Sequence, residues 1–185
     1  MEKTQKLGHI PLVVAVPTTT LIIADIHHPE MVIVFDSNGK HGNKKVLPGG
    51  RVKIGQHSWL ETGLIESKEE VSISDLEEIK FFAICSQPGR DVRPVTLEKY
   101  LDGALVPAGI DQKQIKIQAH HGFDVVLTAR TRSQPKADQN ETCNAYFVNV
   151  LLGIDPNEYA LDHGHLLIAY ADYLTSGVLP ALGRF

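Results

Sequence analysis

Glu66, Glu69 and Glu70 stand at i, i+3 and i+4, a spacing that brings three carboxylates to one side of a helical turn. Such carboxylates repel one another, and a divalent cation bound among them removes the repulsion. Hard oxygen donors at this density suit Mg²⁺ or Mn²⁺, the cations of sites that handle phosphates. An isolated Glu-x-x-Glu-Glu is more commonly a solvated acidic face. Here the helix is entered from Leu47-Pro48-Gly49-Gly50-Arg51-Val52-Lys53-Ile54-Gly55-Gln56, whose paired glycines permit a tight backbone. A glycine segment leading into an acidic helix turns the reading toward a metal site.

The elements that must position these residues are legible as patterns. Short runs rich in Val, Ile and Thr predict strands at Pro11–Val16, Thr19–Asp25 and Met31–Phe35, with a further short one at Lys44–Leu47. Pro17, His27-His28-Pro29 and Asp36-Ser37-Asn38-Gly39 separate them. The acidic helix starts at Ser58 as N-cap, with Glu61 as capping-box partner. Trp59, Leu60 and Leu64, with Ser67 beside them, line one side of it, with Trp59 expected in the core, and Gly63 in mid-helix predicts a close neighbour. Strands follow at Ile79–Cys85, Phe123–Arg130 and Asn144–Val150, separated by polar loops at Gln87–Pro94 and Ser133–Glu141. The last helix is capped by Asp162, carries the stripe Leu166, Ala169, Tyr170, Tyr173 and Leu174, and stops at Gly177. Strands with two good helices predict an α/β or α+β layered domain. Residues 95–121 show no clear periodicity and read as an insertion in a single domain spanning 1–185.

Composition excludes several classes. Lys and Arg number 18 against 22 Asp and Glu, a mild acidity that argues against coating nucleic acid or an anionic membrane. Two cysteines, Cys85 and Cys143, are too few for a disulfide framework, which points to the cytoplasm. The apolar run Leu12–Val16 behind Lys3 and Lys6 is broken by prolines and reads as a strand, not a signal or a membrane span. The paired histidines His27-His28 and His120-His121 are expected in loops. His163-Gly164-His165 opens the last helix, with His163 as a capping or packing residue. None has companions at zinc spacing.

With these residues in hand, the chain resembles the Nudix hydrolase family, in its ADP-ribose pyrophosphatase-like branch. Gly50 matches the opening glycine of the family's box, behind the usual Leu-Pro-Gly. With one residue inserted before or within the helix, Glu66, Glu69 and Glu70 fall on the family's metal-binding glutamates, and Ile73 on its final aliphatic position. The box departs from the family pattern elsewhere: Gln56 replaces the first glutamate, Ile65 the arginine and Ser72 the late glycine. Independently, Gln87-Pro88-Gly89-Arg90-Asp91-Val92-Arg93-Pro94 is similar to a loop of that branch. Ala160-Leu161-Asp162-His163 is similar to the Phe-Asp-His segment before its last helix.

The resemblance implies a Nudix-type α/β/α sandwich with a mixed central sheet. It also implies hydrolysis of a nucleoside diphosphate linked to another group, with ADP-ribose the best-fitting substrate. Glu66, Glu69 and Glu70 would hold Mg²⁺ or Mn²⁺, helped by the carbonyl around Gly50, while Arg51, Arg90 and Arg93 would grip phosphate. The general base lies either in the box or on a later loop; the loop 133–141 offers Asp138 and Glu141, and Glu141 is the choice. Gln56 and Ile65 imply weaker metal binding or slower turnover, and leave open a second reading, a nucleotide-binding module without catalysis. The insertion would cover the site or build a homodimer interface, as in relatives that pair. Few residues follow the last helix, which leaves no room for the DNA-binding domain of regulators in this superfamily.

Overall fold

The computed structural model describes residues 13–39, 41–53, 55–86, 95–96, 116–117, 119–138 and 142–181. Their strands are β1 (Val13–Asp25), β2 (Met31–Ser37), β3 (Lys45–Val46), β4 (Gly49–Arg51), β5 (Glu77–Cys85), β6 (Val95–Thr96), β7 (Lys116–Ile117), β8 (Ala119–Thr131) and β9 (Thr142–Asn149). Their α-helices are α1 (Trp59–Val71) and α2 (His163–Ser176). Among the described residues, one mixed sheet runs β3-β2-β1-β8-β5, with β4 added to β1 and β9 to β2. β1 and β8 pair in parallel along their whole length, and the other ladders of this sheet are antiparallel. β6 and β7 form a separate two-stranded ribbon.

Period-2 alternation makes the sheet two-sided. Ile22, Ala24, Val32, Val34, Phe82 and Val126 face Leu166, Leu167 and Tyr170 of α2. Leu21, Ile23, Ile33 and Phe35 face the other way, in one cluster with Val71 of α1 and Ile73. A sheet buried on both faces by helices is an α/β/α sandwich, as expected. The stripe on α2 packs as its spacing predicts, and Gly177 ends the helix in the left-handed region, its N–H bonded to the Tyr173 carbonyl at 2.8 Å. Among the described residues no helix is long and apolar enough to cross a membrane.

Several expectations need correction. The two strands predicted on either side of Pro17 are one, β1. The N–H and C=O of a strand residue project to the same side, and the Pro17 carbonyl accepts from the Val52 N–H at 2.9 Å. Its missing donor therefore faces the end of β4, whose ladder stops at Arg51, and leaves the β8 ladder intact. β8 begins at Ala119, inside the segment read as an insertion, so His120 and His121 lie in a strand rather than a loop. Val150 leaves the last strand for a 3-10 turn. Asp162 occupies the N-cap position of α2 without a side-chain cap bond.

The apolar side of α1 is not its buried side. Trp59 and Leu60 are 39% and 44% exposed, and Trp59 meets Phe123 edge-on at 6.3 Å instead of entering the core. The helix buries Thr62, Gly63, Ser67, Glu70 and Val71. Gly63 decides this: a Cβ there would stand 2.7 Å from Leu21 Cδ1, so helix and sheet approach closely through a glycine.

Candidate functional site

The site begins with a strand held between β1 and α1. Leu47 and Pro48 lie between β3 and β4, and the Pro48 carbonyl accepts from the Leu21 N–H at 2.8 Å. In β4, Gly49, Gly50 and Arg51 pair with Thr20, Thr19 and Thr18. Neither Gly49 nor Gly50 has a positive φ, so the demand for glycine comes from space rather than backbone conformation. A Cβ at Gly49 would run into the Thr19 carbonyl oxygen and stand 2.9 Å from Thr20 Cα. A Cβ at Gly50 would overlap the Glu66 carboxylate and stand 3.0 Å from Glu66 Cγ. The glycines thus admit β1 on one side and an acidic side chain on the other.

α1 is aimed at this strand by its cap. The Ser58 side chain accepts from the Glu61 N–H at 3.2 Å, and Glu61 Oε2 accepts from the Ser58 N–H at 2.7 Å, which completes the predicted capping box. The serine bond pulls the Glu61 carboxyl below the usual glutamate range. Two turns later, Glu66 lies against Gly50. Glu70, only 8% exposed, accepts from the Gly49 N–H through Oε2 at 2.9 Å. A bond from a backbone N–H favours the ionised carboxylate that burial opposes. The end of the helix is held too: Thr142 Oγ1 donates to the Glu70 carbonyl at 3.2 Å, and the Asp138 N–H donates to Thr142 Oγ1 at 3.0 Å.

The structure therefore brings two of the three predicted carboxylates to the glycine strand. Glu69 points to solvent, as does Lys68, and Ile65 is half-buried. Gln56 is exposed in the turn before the helix, its N–H bonded to the Lys53 carbonyl at 2.9 Å. Ser72, at the position of the family's late glycine, ends the helix with φ 58°, ψ 29°. Arg51 is half-buried beside Thr18, whose hydroxyl donates to Asp124 Oδ1 at 2.8 Å. Among the described residues, no group of three or more His, Cys, Asp or Glu side chains is arranged to hold a metal. Arg90, Arg93 and Glu141 lie outside the described residues.

At this site sequence reasoning misses one residue, Asp124, and the partner of another, His163, which it reads only as a capping or packing residue. Asp124 is a fully buried carboxylate in the middle of β8, where its neighbours read as an ordinary strand. His163, 4% exposed, accepts from the Leu47 N–H through Nδ1 at 2.9 Å, although the two are 116 residues apart. Its placement at the start of a helix hid this role.

Comparison of the sequence with family models finds no match, and comparison with curated proteins finds none. Solved structures match most of the chain. A Nudix hydrolase from Nitrosomonas europaea aligns with 97% of this chain and 83% of its own, at 14% identity and a TM-score of 0.61. The Nudix domain of Shewanella oneidensis NrtR, solved with ADP ribose, aligns over 90% and 91%, at 13% identity and a TM-score of 0.56. A bifunctional NMN adenylyltransferase/ADP ribose pyrophosphatase from Francisella tularensis, solved with AMP and a manganese ion, aligns over 90% of this chain at 12% identity and a TM-score of 0.56. The match spans 43% of that longer chain. This chain has the Nudix fold. At these identities the likeness is one of architecture, and chemistry has to be argued from the residues.

Proposed function

We propose that the chain is a divalent-metal-dependent hydrolase that cleaves the pyrophosphate linkage of a nucleoside diphosphate derivative, with ADP-ribose as the leading substrate. The observation that carries this reading is the pair Glu66 and Glu70, packed from one helix onto Gly50 and Gly49 of a Nudix-fold sheet. Two hard carboxylates beside an exposed third, Glu69, fit Mg²⁺ or Mn²⁺ in donor chemistry. The ligands bound to the Shewanella and Francisella neighbours support the same class of substrate and metal.

In this reading Glu66, Glu69 and Glu70 would hold the cation, whereas the carbonyl of Gly50, paired with Thr19, projects toward β1 and away from Glu70. When bound, it supplies charge neutralisation on the pyrophosphate oxygens. Water attacks one phosphorus and the bridging P–O bond breaks, so ADP-ribose yields AMP and ribose 5-phosphate. Glu141 takes the proton from the water, and Arg51, Arg90 and Arg93 orient the phosphates through paired N–H donors. The Gly49 N–H holds the Glu70 carboxylate in place. Action in the cytoplasm and pairing of two copies belong to the same proposal.

A second reading, nucleotide binding without turnover, is favoured by the exposed Glu69 and by neutral Gln56 where the family has a glutamate. One experiment separates the two. AMP or phosphate release is followed over ADP-ribose, NAD, NADH, dinucleoside polyphosphates and nucleoside triphosphates, with Mg²⁺ and with Mn²⁺, and with Glu70→Gln as the blank. Metal-dependent release that disappears in the blank supports the hydrolase. No release, with a nucleotide still raising the melting temperature, supports the binding module.

A further inference from the structure

We infer that His163 is a positioning residue: from the first turn of α2 it holds the segment before β4 so that the Gly49 N–H reaches Glu70. Pro48 has no N–H, so Leu47 and Gly49 carry the two successive backbone donors at this point in the chain. Both are accepted by side chains from opposite layers of the sandwich. Leu47 donates to His163 Nδ1 at 2.9 Å on the α2 side, and Gly49 donates to Glu70 Oε2 at 2.9 Å on the α1 side. Between them the Pro48 carbonyl is fixed to Leu21 of β1. Three consecutive residues are thus tied to three elements, and only the histidine tie comes from outside the sheet and the acidic helix.

The segment that delivers His163 is itself fixed along the same stretch. Tyr159 forms a parallel bridge with Lys45, and the Ala160 N–H donates to the Lys45 carbonyl at 2.9 Å. Gly164 presses on Pro156, where a Cβ would stand 3.0 Å from the proline Cβ, which sets where α2 can start. An Nδ1 that accepts is unprotonated, and asparagine offers an acceptor at nearly the same distance from its backbone, whereas leucine offers none.

This inference rests on the reading that the glycine strand and its glutamates form the working site, but its test does not need turnover. Amide hydrogen exchange is measured by NMR on the wild-type chain, His163→Asn and His163→Leu, with Ile22 and Val126 as core references. The thermal shift given by Mn²⁺ is recorded on the same samples. The leucine variant is expected to speed exchange at Leu47 and Gly49 by about tenfold relative to the references. It should also weaken the Mn²⁺ shift, and the asparagine variant should restore both. Exchange at Leu47 and Gly49 that changes no more than the references do overturns the inference. So does an asparagine variant as impaired as the leucine one. If the leucine chain does not fold, His163→Gln, which moves the acceptor, takes its place. A wild type that hydrolyses nothing and ignores metal removes the functional reading, and the exchange comparison still decides the role of His163.

Discussion

Adding one methyl group at each of two adjacent glycines should separate folding from function. At Gly50 the new Cβ would overlap the carboxylate of Glu66, the far end of a flexible, half-buried side chain. The carboxylate can retreat by rotating, so Gly50→Ala should cost under about 1 kcal/mol, or about 2–4 °C in a chain of this size. The retreat is over about 1 Å, however, and displacement of that size at a catalytic group lowers turnover by about 100-fold. At Gly49 the Cβ would meet backbone, the Thr19 carbonyl oxygen and Thr20 Cα, which cannot rotate away. Relief means parting β4 from β1 and stretching the Gly49–Glu70 bond. Overpacking and loss of a charged hydrogen bond together cost about 3 kcal/mol or more, a fall of roughly 6–12 °C. Thermal melts, Mn²⁺ shifts and nucleotide hydrolysis on both variants test this contrast. The reasoning is refuted if Gly50→Ala destabilises as much as Gly49→Ala, or if it melts like wild type and keeps its response to metal and substrate.

Three further outcomes follow from the geometry. Ser72 closes α1 at φ 58°, a conformation that a Cβ disfavours, so Ser72→Gly should stabilise by about 0.5–1 kcal/mol; an unchanged or lower melting temperature would contradict this. The Thr131 hydroxyl, bonded to Asp75 at 2.7 Å, lowers the Asp75 pKa and outweighs burial, with the Arg132 N–H adding to the effect. A carboxyl depressed by folding stabilises above its unfolded pKa, and that contribution is lost as pH falls through the folded value. Urea unfolding should therefore show Asp75→Asn less stable than wild type at neutral pH, with the gap closing below the ordinary aspartate range. Cys143 is exposed and Cys85 fully buried, so a thiol reagent should modify one cysteine quickly in the native chain and the second only on unfolding.

Local signals carried a large part of this protein. The capping box, the stop at Gly177 and the Val-, Ile- and Thr-rich runs that become the central strands involve neighbours a few residues apart, and residue type alone reveals them. The acidic trio and the glycines before it were legible for the same reason, as was the close approach at Gly63. What the sequence could not show was which side of α1 would be buried. Leu60 and Leu64 have the right spacing for a core face, yet the helix turns its glycine and Glu70 inward, because Leu21 and the glycine strand leave room only for a small residue or a hydrogen-bonding one. The same holds for Pro17, tolerated in mid-strand only because β4 ends beside it. Asp124 with Thr18, and His163 with Leu47, join residues more than a hundred positions apart. A hydrogen bond across such a separation leaves no periodic trace in the chain; it exists only once the sheet and both helices are assembled.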